Sequence, residues 1–159
     1  MNHIIRIFDH MYWANTKIVH SLQAIEGDIE KLLRLFAHVL SAEKVWLTRI
    51  NGKDASMISI WPDDFSLEEC ENIVQENNAG FMHYFKQHTD ADLLNVISYR
   101  NSKGEGFNTT VYDILTQVSL HGSYHRGQLA ALLRKEGIEP INTDYITFVR
   151  QLDDVGTNE

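Results

Sequence analysis

The chain has 159 residues, 43% hydrophobic and 23% charged, enough for one domain with its own core and ordinary for a globular protein. Its net charge of −8, with no basic cluster or RNP-like motif, argues against a nucleic-acid surface, because neutralising phosphates takes an excess of Lys and Arg. The lone cysteine, Cys70, rules out an internal disulfide, and no apolar run approaches the length of a membrane span.

The first stretch, MNHIIRIFDHMYWAN, is interrupted by Arg6, Asp9 and His10 and lacks the apolar segment of a secretory signal, so a cytoplasmic location is expected. Ile4, Ile5, Phe8, Met11, Tyr12, Ile18, Val19 and Leu22 fall at helical spacing and predict a helix from about His3 to Ile25. Gly27 stops it, and Asp28 is placed to cap a second helix from about Ile29 to Asn51, ended by Gly52. A polar loop containing Pro62 follows. Ser66-Leu67-Glu68-Glu69 has capping-box form and opens a third helix reaching about His88. Leu94 to Tyr99 partly alternates and is rich in β-branched and aromatic residues; Gly104-Glu105-Gly106 separates it from Phe107 to Thr110, which predicts a short β-hairpin. Thr110, with Asp113 three residues on, caps a fourth helix to Glu136, ended by Gly137 and Pro140. A short helix or turn from Thr143 to Leu152 closes a single domain spanning 1–152, and residues 153–159 read as a disordered tail. Four long amphipathic helices predict an all-α fold, a four-helix bundle, with the hairpin between helices three and four.

Chemistry concentrates in His121-Gly122-Ser123-Tyr124-His125-Arg126-Gly127-Gln128. Residues at i and i+4 share a helix face, so both imidazoles can reach one point, the geometry a divalent metal needs. Val111, Ile114, Val118, His121, His125, Gln128 and Leu132 follow alternating steps of three and four, which predicts that both histidines and Gln128 lie in the buried stripe. A single core histidine is usually just hydrogen-bonded to a neighbour. Two in register with a third polar residue are harder to explain that way, since uncompensated burial would cost on the order of several kcal/mol in total.

A third ligand has to come from a facing helix. His38, mid-helix in Leu35-Phe36-Ala37-His38-Val39-Leu40, is one candidate, although the strongest apolar stripe there (Leu32, Phe36, Val39, Glu43, Trp46, Ile50) points nearly opposite. The His38 face also carries Leu35, Ala42 and Val45, and a helix apolar on two faces is usually buried on two sides. His10 near Trp13 and the carboxylate of Glu43 are the alternatives. His3, His20, His83 and His88 read as surface or helix-end residues, Trp13, Trp46 and Trp61 as core aromatics, and Arg126 as a solvated surface residue. Cys70 sits in an acidic helix that disfavours a thiolate, so it is not a nucleophile candidate.

With these residues in view the chain resembles the DinB family. The similarity lies in His38 within LFAHVLSAEKVWL, in HGSYHRGQ, in Tyr12-Trp13-Ala14-Asn15, and in the closing Thr143-Asp144-Tyr145-Ile146, and it covers nearly the whole chain. The resemblance implies an up-down-down-up four-helix bundle, commonly a homodimer, with a divalent metal (nickel or zinc) held by three histidines, here His38, His121 and His125. It also implies a small-molecule substrate, with thiol-dependent S-transferase or isomerase chemistry using a low-molecular-weight thiol in some relatives; a metal-activated hydrolase is the other enzymatic expectation. Asn15 and Gln128 are candidates for orienting substrate or water around the metal. The rival readings are a non-catalytic metal-binding stress-response protein and a bundle with a purely structural polar core. Fold and ligands do not fix the reaction.

Overall fold

The computed structural model describes residues 1–156, with five α-helices and one two-stranded antiparallel sheet. The helices are α1 (Asn2–Gln23), α2 (Glu30–Ile50), α3 (Leu67–Gln87), α4 (Val111–Lys135) and α5 (Tyr145–Gly156), and the strands are β1 (Val96–Arg100) and β2 (Gly106–Thr110). Helix ends follow the local chemistry of the sequence. Ser66 Oγ accepts the Glu69 N–H while Glu69 returns the bond to the Ser66 N–H, so the capping box opens α3 as expected. Thr110 Oγ1 accepts the Asp113 N–H at the start of α4. The cap of α2 differs from expectation: Ile29 holds the cap position, and Asp28 accepts the Glu30 N–H from one residue further out. The hairpin is present, in the register Val96↔Thr110 to Arg100↔Gly106. Its first strand begins two residues after Leu94, because Asp90–Leu94 is taken up by a 3-10 turn. Gly104, at φ 82°, supplies the left-handed residue its loop needs.

The apolar interior is in two parts. One joins Ile18 and Leu22 of α1, Phe36 and Leu40 of α2, Ile73 and Val74 of α3, and Leu129 and Leu133 of α4. The other joins Phe8 and Met11 of α1, Ile50 of α2, Phe81 and Phe85 of α3, and Ile114 and Val118 of α4. Between them lies a buried polar layer with one residue from each long helix: Asn15, Glu43, Asn77 and Arg126. Helix α2 is indeed enclosed on both sides, every residue from Phe36 to Glu43 being buried. Helix α5 continues through Gly156, four residues into the stretch expected to be a tail, and residues 157–159 lie outside the described residues. Among the described residues no helix is long and apolar enough to cross a membrane.

Candidate metal centre

On α4 the buried line runs Val118, Gly122, Arg126, Leu129, Leu133, one position later than the expected stripe through His121 and His125. The two histidines therefore sit beside the core, partly buried, on the edge of α4 that meets α2. There they find His38, which is 5% exposed. One nitrogen from each of His38, His121 and His125 lies within 4.8 Å of the others.

The hydrogen bonds fix which nitrogens face inward. His38 Nδ1–H donates to the Ile60 carbonyl at 2.8 Å, and His125 Nδ1–H donates to Gln128 Oε1 at 2.8 Å. Both rings are thereby held with Nε2 free, the outer-shell arrangement typical of metal-ligating histidines. The Nε2 atoms of His121 and His125 stand 3.1 Å apart. Two such lone pairs at that distance need a proton or a cation between them. Ligands about 2.1 Å from one ion would be separated by about 3.0 Å at an octahedral and about 3.4 Å at a tetrahedral angle, and the observed spacing falls between. Burial, then the neighbouring His125 and His38, lowers the His121 pKa to about 4. Burial also lowers that of His38. Neutral imidazole is the form that binds metal, so the donor set fits a divalent ion.

The other candidates are elsewhere. His10 is 7% exposed and donates from Nε2 to the Thr143 carbonyl at 2.8 Å, inside a cluster with Trp13, Tyr145 and Phe148, where burial lowers its pKa. Glu43 belongs to the polar layer: its carboxylate accepts from Asn15 Nδ2 at 2.9 Å and Asn77 Nδ2 at 3.2 Å, and burial raises its pKa against the pull of those bonds and of Arg126. Asn15 thus serves the layer rather than the histidines. Of the two residues expected to orient groups around the metal, Gln128 is the one that touches the triad.

Arg126 overturns its expected surface placement. It is 5% exposed, with Nη1 donating to Asn15 Oδ1 at 3.3 Å and Nη2 to Ser123 Oγ at 3.0 Å. Gly122 makes the space, since a Cβ there would lie 2.9 Å from Arg126 Nη1. A glycine one turn before an arginine, between Val118 and Leu129, was the signal in the sequence. Trp61 also departs from expectation: it is 46% exposed and stacks on His38, centroids 3.7 Å apart and planes within 6°. No periodicity predicts that contact, because Trp61 lies in a loop. Cys70 is fully buried and its thiol is pushed up to about 12, in keeping with an inert residue. His3, His20 and His83 are exposed, and His88 ends α3 with Nδ1 bonded to the Tyr84 carbonyl.

Beside the triad, between α2, the 52–61 loop and the hairpin, is an open cleft of about 1550 Å³. Ile60 and Trp61, the two residues that hold His38, form part of its wall.

Comparison with known proteins gives a consistent result. The profile of the DinB family matches residues 1–153. "Protein DinB" of Bacillus subtilis (strain 168) is 24% identical over 156 residues, an alignment covering 88% of this chain and 90% of that protein. The crystal structure of a DinB-like protein from Bacillus cereus ATCC 10987 superposes with a TM-score of 0.68 at 19% identity, covering 89% of this chain and 96% of the other.

Proposed function

The chain belongs to the DinB family, and from that premise we propose that His38, His121 and His125 hold a divalent metal, nickel or zinc, and that the protein acts on a small molecule by thiol-dependent transfer or by hydrolysis. The observation that carries this reading is the convergence of three imidazoles, two of them with the outer nitrogen already committed to an acceptor. A three-histidine set leaves coordination positions for water or substrate, the pattern of a reactive rather than a purely structural centre. When bound, such an ion supplies a Lewis acid that makes water or a thiol nucleophilic near neutral pH. The chain's own residues do the holding: Gln128 keeps the His125 proton on Nδ1, the Ile60 carbonyl does the same for His38, and the Trp61 ring covers the His38 face.

The C-terminal part of α1 shares an apolar cluster with the N-terminal parts of α2 and α3 and the C-terminal part of α4, and the opposite ends share the other. That pairing supports an up-down-down-up four-helix bundle. We further infer a homodimer through the outer face of α4, where Tyr112, Leu120 and Tyr124 are 51%, 62% and 65% exposed at one- and two-turn spacing.

Elemental analysis of protein purified without a nickel column tests the first step. About one metal per chain is expected in the parent and a loss in His121→Ala with helix content unchanged; less than about half a metal, equal in both, overturns the reading. Full occupancy with no turnover across a panel of thiols and electrophiles supports the non-catalytic alternative. Sedimentation of Leu120→Glu as a monomer and of the parent as a dimer supports the interface.

A further inference from the structure

The cleft beside the triad carries charges that the histidines do not use. Its lining includes three cations, Arg49, Lys53 and Arg100, against one carboxylate, Asp54, in a chain of net charge −8. Asp54 is already engaged by the backbone N–H and the hydroxyl of Ser56. Arg49 packs against both Trp46 and Tyr99, whose rings meet edge to face, with its guanidinium carbon 4.6 Å from each ring centre, and its Nη2 donates to the Arg100 carbonyl. A guanidinium fixed in this way keeps its remaining donors in a set direction and loses little freedom when an anion arrives.

The cleft adjoins the triad: none of the three histidines lines it, but Ile60 and Trp61, which contact His38, form part of its wall. Along α2, His38, Val45 and Arg49 share one face, because seven and eleven residues are close to two and three whole turns. Val45 and Arg49 line the cleft. Arg49 lies about 16 Å from His38 along the helix axis. The reach of the Arg and Lys side chains reduces the gap to about 10 Å, the length of an extended tripeptide.

We propose that this cleft binds the anionic end of an elongated small molecule, a carboxylate or phosphate group seated by Arg49, Lys53 and Arg100, whose other end reaches His38, His121 and His125. The position of the reacting end rests on the metal reading above; the anion subsite stands on different residues. It narrows the substrate class to anions of roughly tripeptide length and excludes small neutral thiols as preferred ligands.

Glutathione and its diethyl ester are matched probes, alike except for the two carboxylates. Titration calorimetry at low salt on zinc-loaded protein should show the acid binding about fivefold tighter, as expected for exposed charge pairs. The preference should shrink at about 0.5 M salt. The exposed double variant Lys53→Gln/Arg100→Gln should lower it below about twofold with zinc content unchanged, and metal-free His121→Ala protein should retain it. Displacement by inorganic phosphate at lower concentration than acetate would assign the subsite to phosphoryl groups, and the reverse order to carboxylates. Equal affinity for acid and ester, no binding of either at about 10 mM, or a preference that survives the double variant would overturn the proposal. Protein that holds no zinc yet keeps the charge preference would sink the metal reading alone, and protein that loads zinc without any preference would sink this one alone.

Discussion

Consider replacing Glu43 with alanine. Its carboxylate, 3% exposed, accepts from Asn15 and Asn77. Arg126, 5% exposed, is bonded among the described residues to the neutral oxygens of Asn15 and Ser123 and takes its favourable charge interaction from Glu43. Removing the carboxylate strips two bonds to a charged acceptor, worth about 1.5–3 kcal/mol each, and leaves the guanidinium without a counter-charge. These losses overlap, so the figure for breaking a buried pair applies, about 3–5 kcal/mol. Against a total stability of about 5–15 kcal/mol that is a large fraction. The double variant Glu43→Ala/Arg126→Met removes the stranded charge along with its partner. It should be less destabilised than the sum of the single variants, by about 2 kcal/mol. Urea unfolding of metal-free protein followed by far-UV circular dichroism measures all four corners without linkage to metal binding. A Glu43→Ala midpoint within about 0.5 kcal/mol of the parent, or strict additivity in the cycle, would refute the account of the layer.

The two glycines of the α4 motif should respond with opposite signs. Gly127→Ala meets nothing within 4 Å and should stabilise by about 0.5–1 kcal/mol, whereas Gly122→Ala pushes against Arg126 and should destabilise by about 1–3 kcal/mol; the same unfolding assay reads both. Gln128→Leu frees the His125 ring and should weaken metal binding about 10- to 100-fold, measured by competition with a chromophoric chelator. Metal-free protein should lose stability as pH falls. The folded His121 pKa of about 4 lies below the ordinary histidine value of 6.5, so the unfolded state binds the extra proton between them. The His121 contribution is complete above 6.5 and is lost as pH falls towards 4; His10 and His38 shift in the same direction. A urea midpoint flat across that window, or unchanged in slope in His121→Gln, would contradict this.

Much of the architecture was readable because it depends on local chemistry. The capping box at Ser66, the Thr110 cap and the Gly-containing hairpin loop each carry their own stereochemical signal. The spacing of His121 and His125 was likewise enough to put both imidazoles at one point. The phase of α4 was not legible, because its interior is filled by a glycine and an arginine. Pattern reading counts neither as apolar, yet together Gly122 and Arg126 fill one turn of core. The position of His38 could not be read from helix two either, since burial on both faces leaves no single stripe to set direction. The Trp61 contact with His38 depends on how a loop folds back over α2, which no periodicity encodes.

The polar layer has a consequence for how the helices align. Apolar side chains of similar size exchange places at modest cost, so two greasy clusters alone would tolerate α4 slipping along its neighbours by a turn, about 5.4 Å. Asn15, Glu43, Asn77 and Arg126 are two amides, a carboxylate and a guanidinium drawn from four helices, and their donors and acceptors match in one axial setting. They act as an index mark on the interior. Because His125 immediately precedes Arg126, seating the guanidinium also sets the height at which the imidazole meets His38.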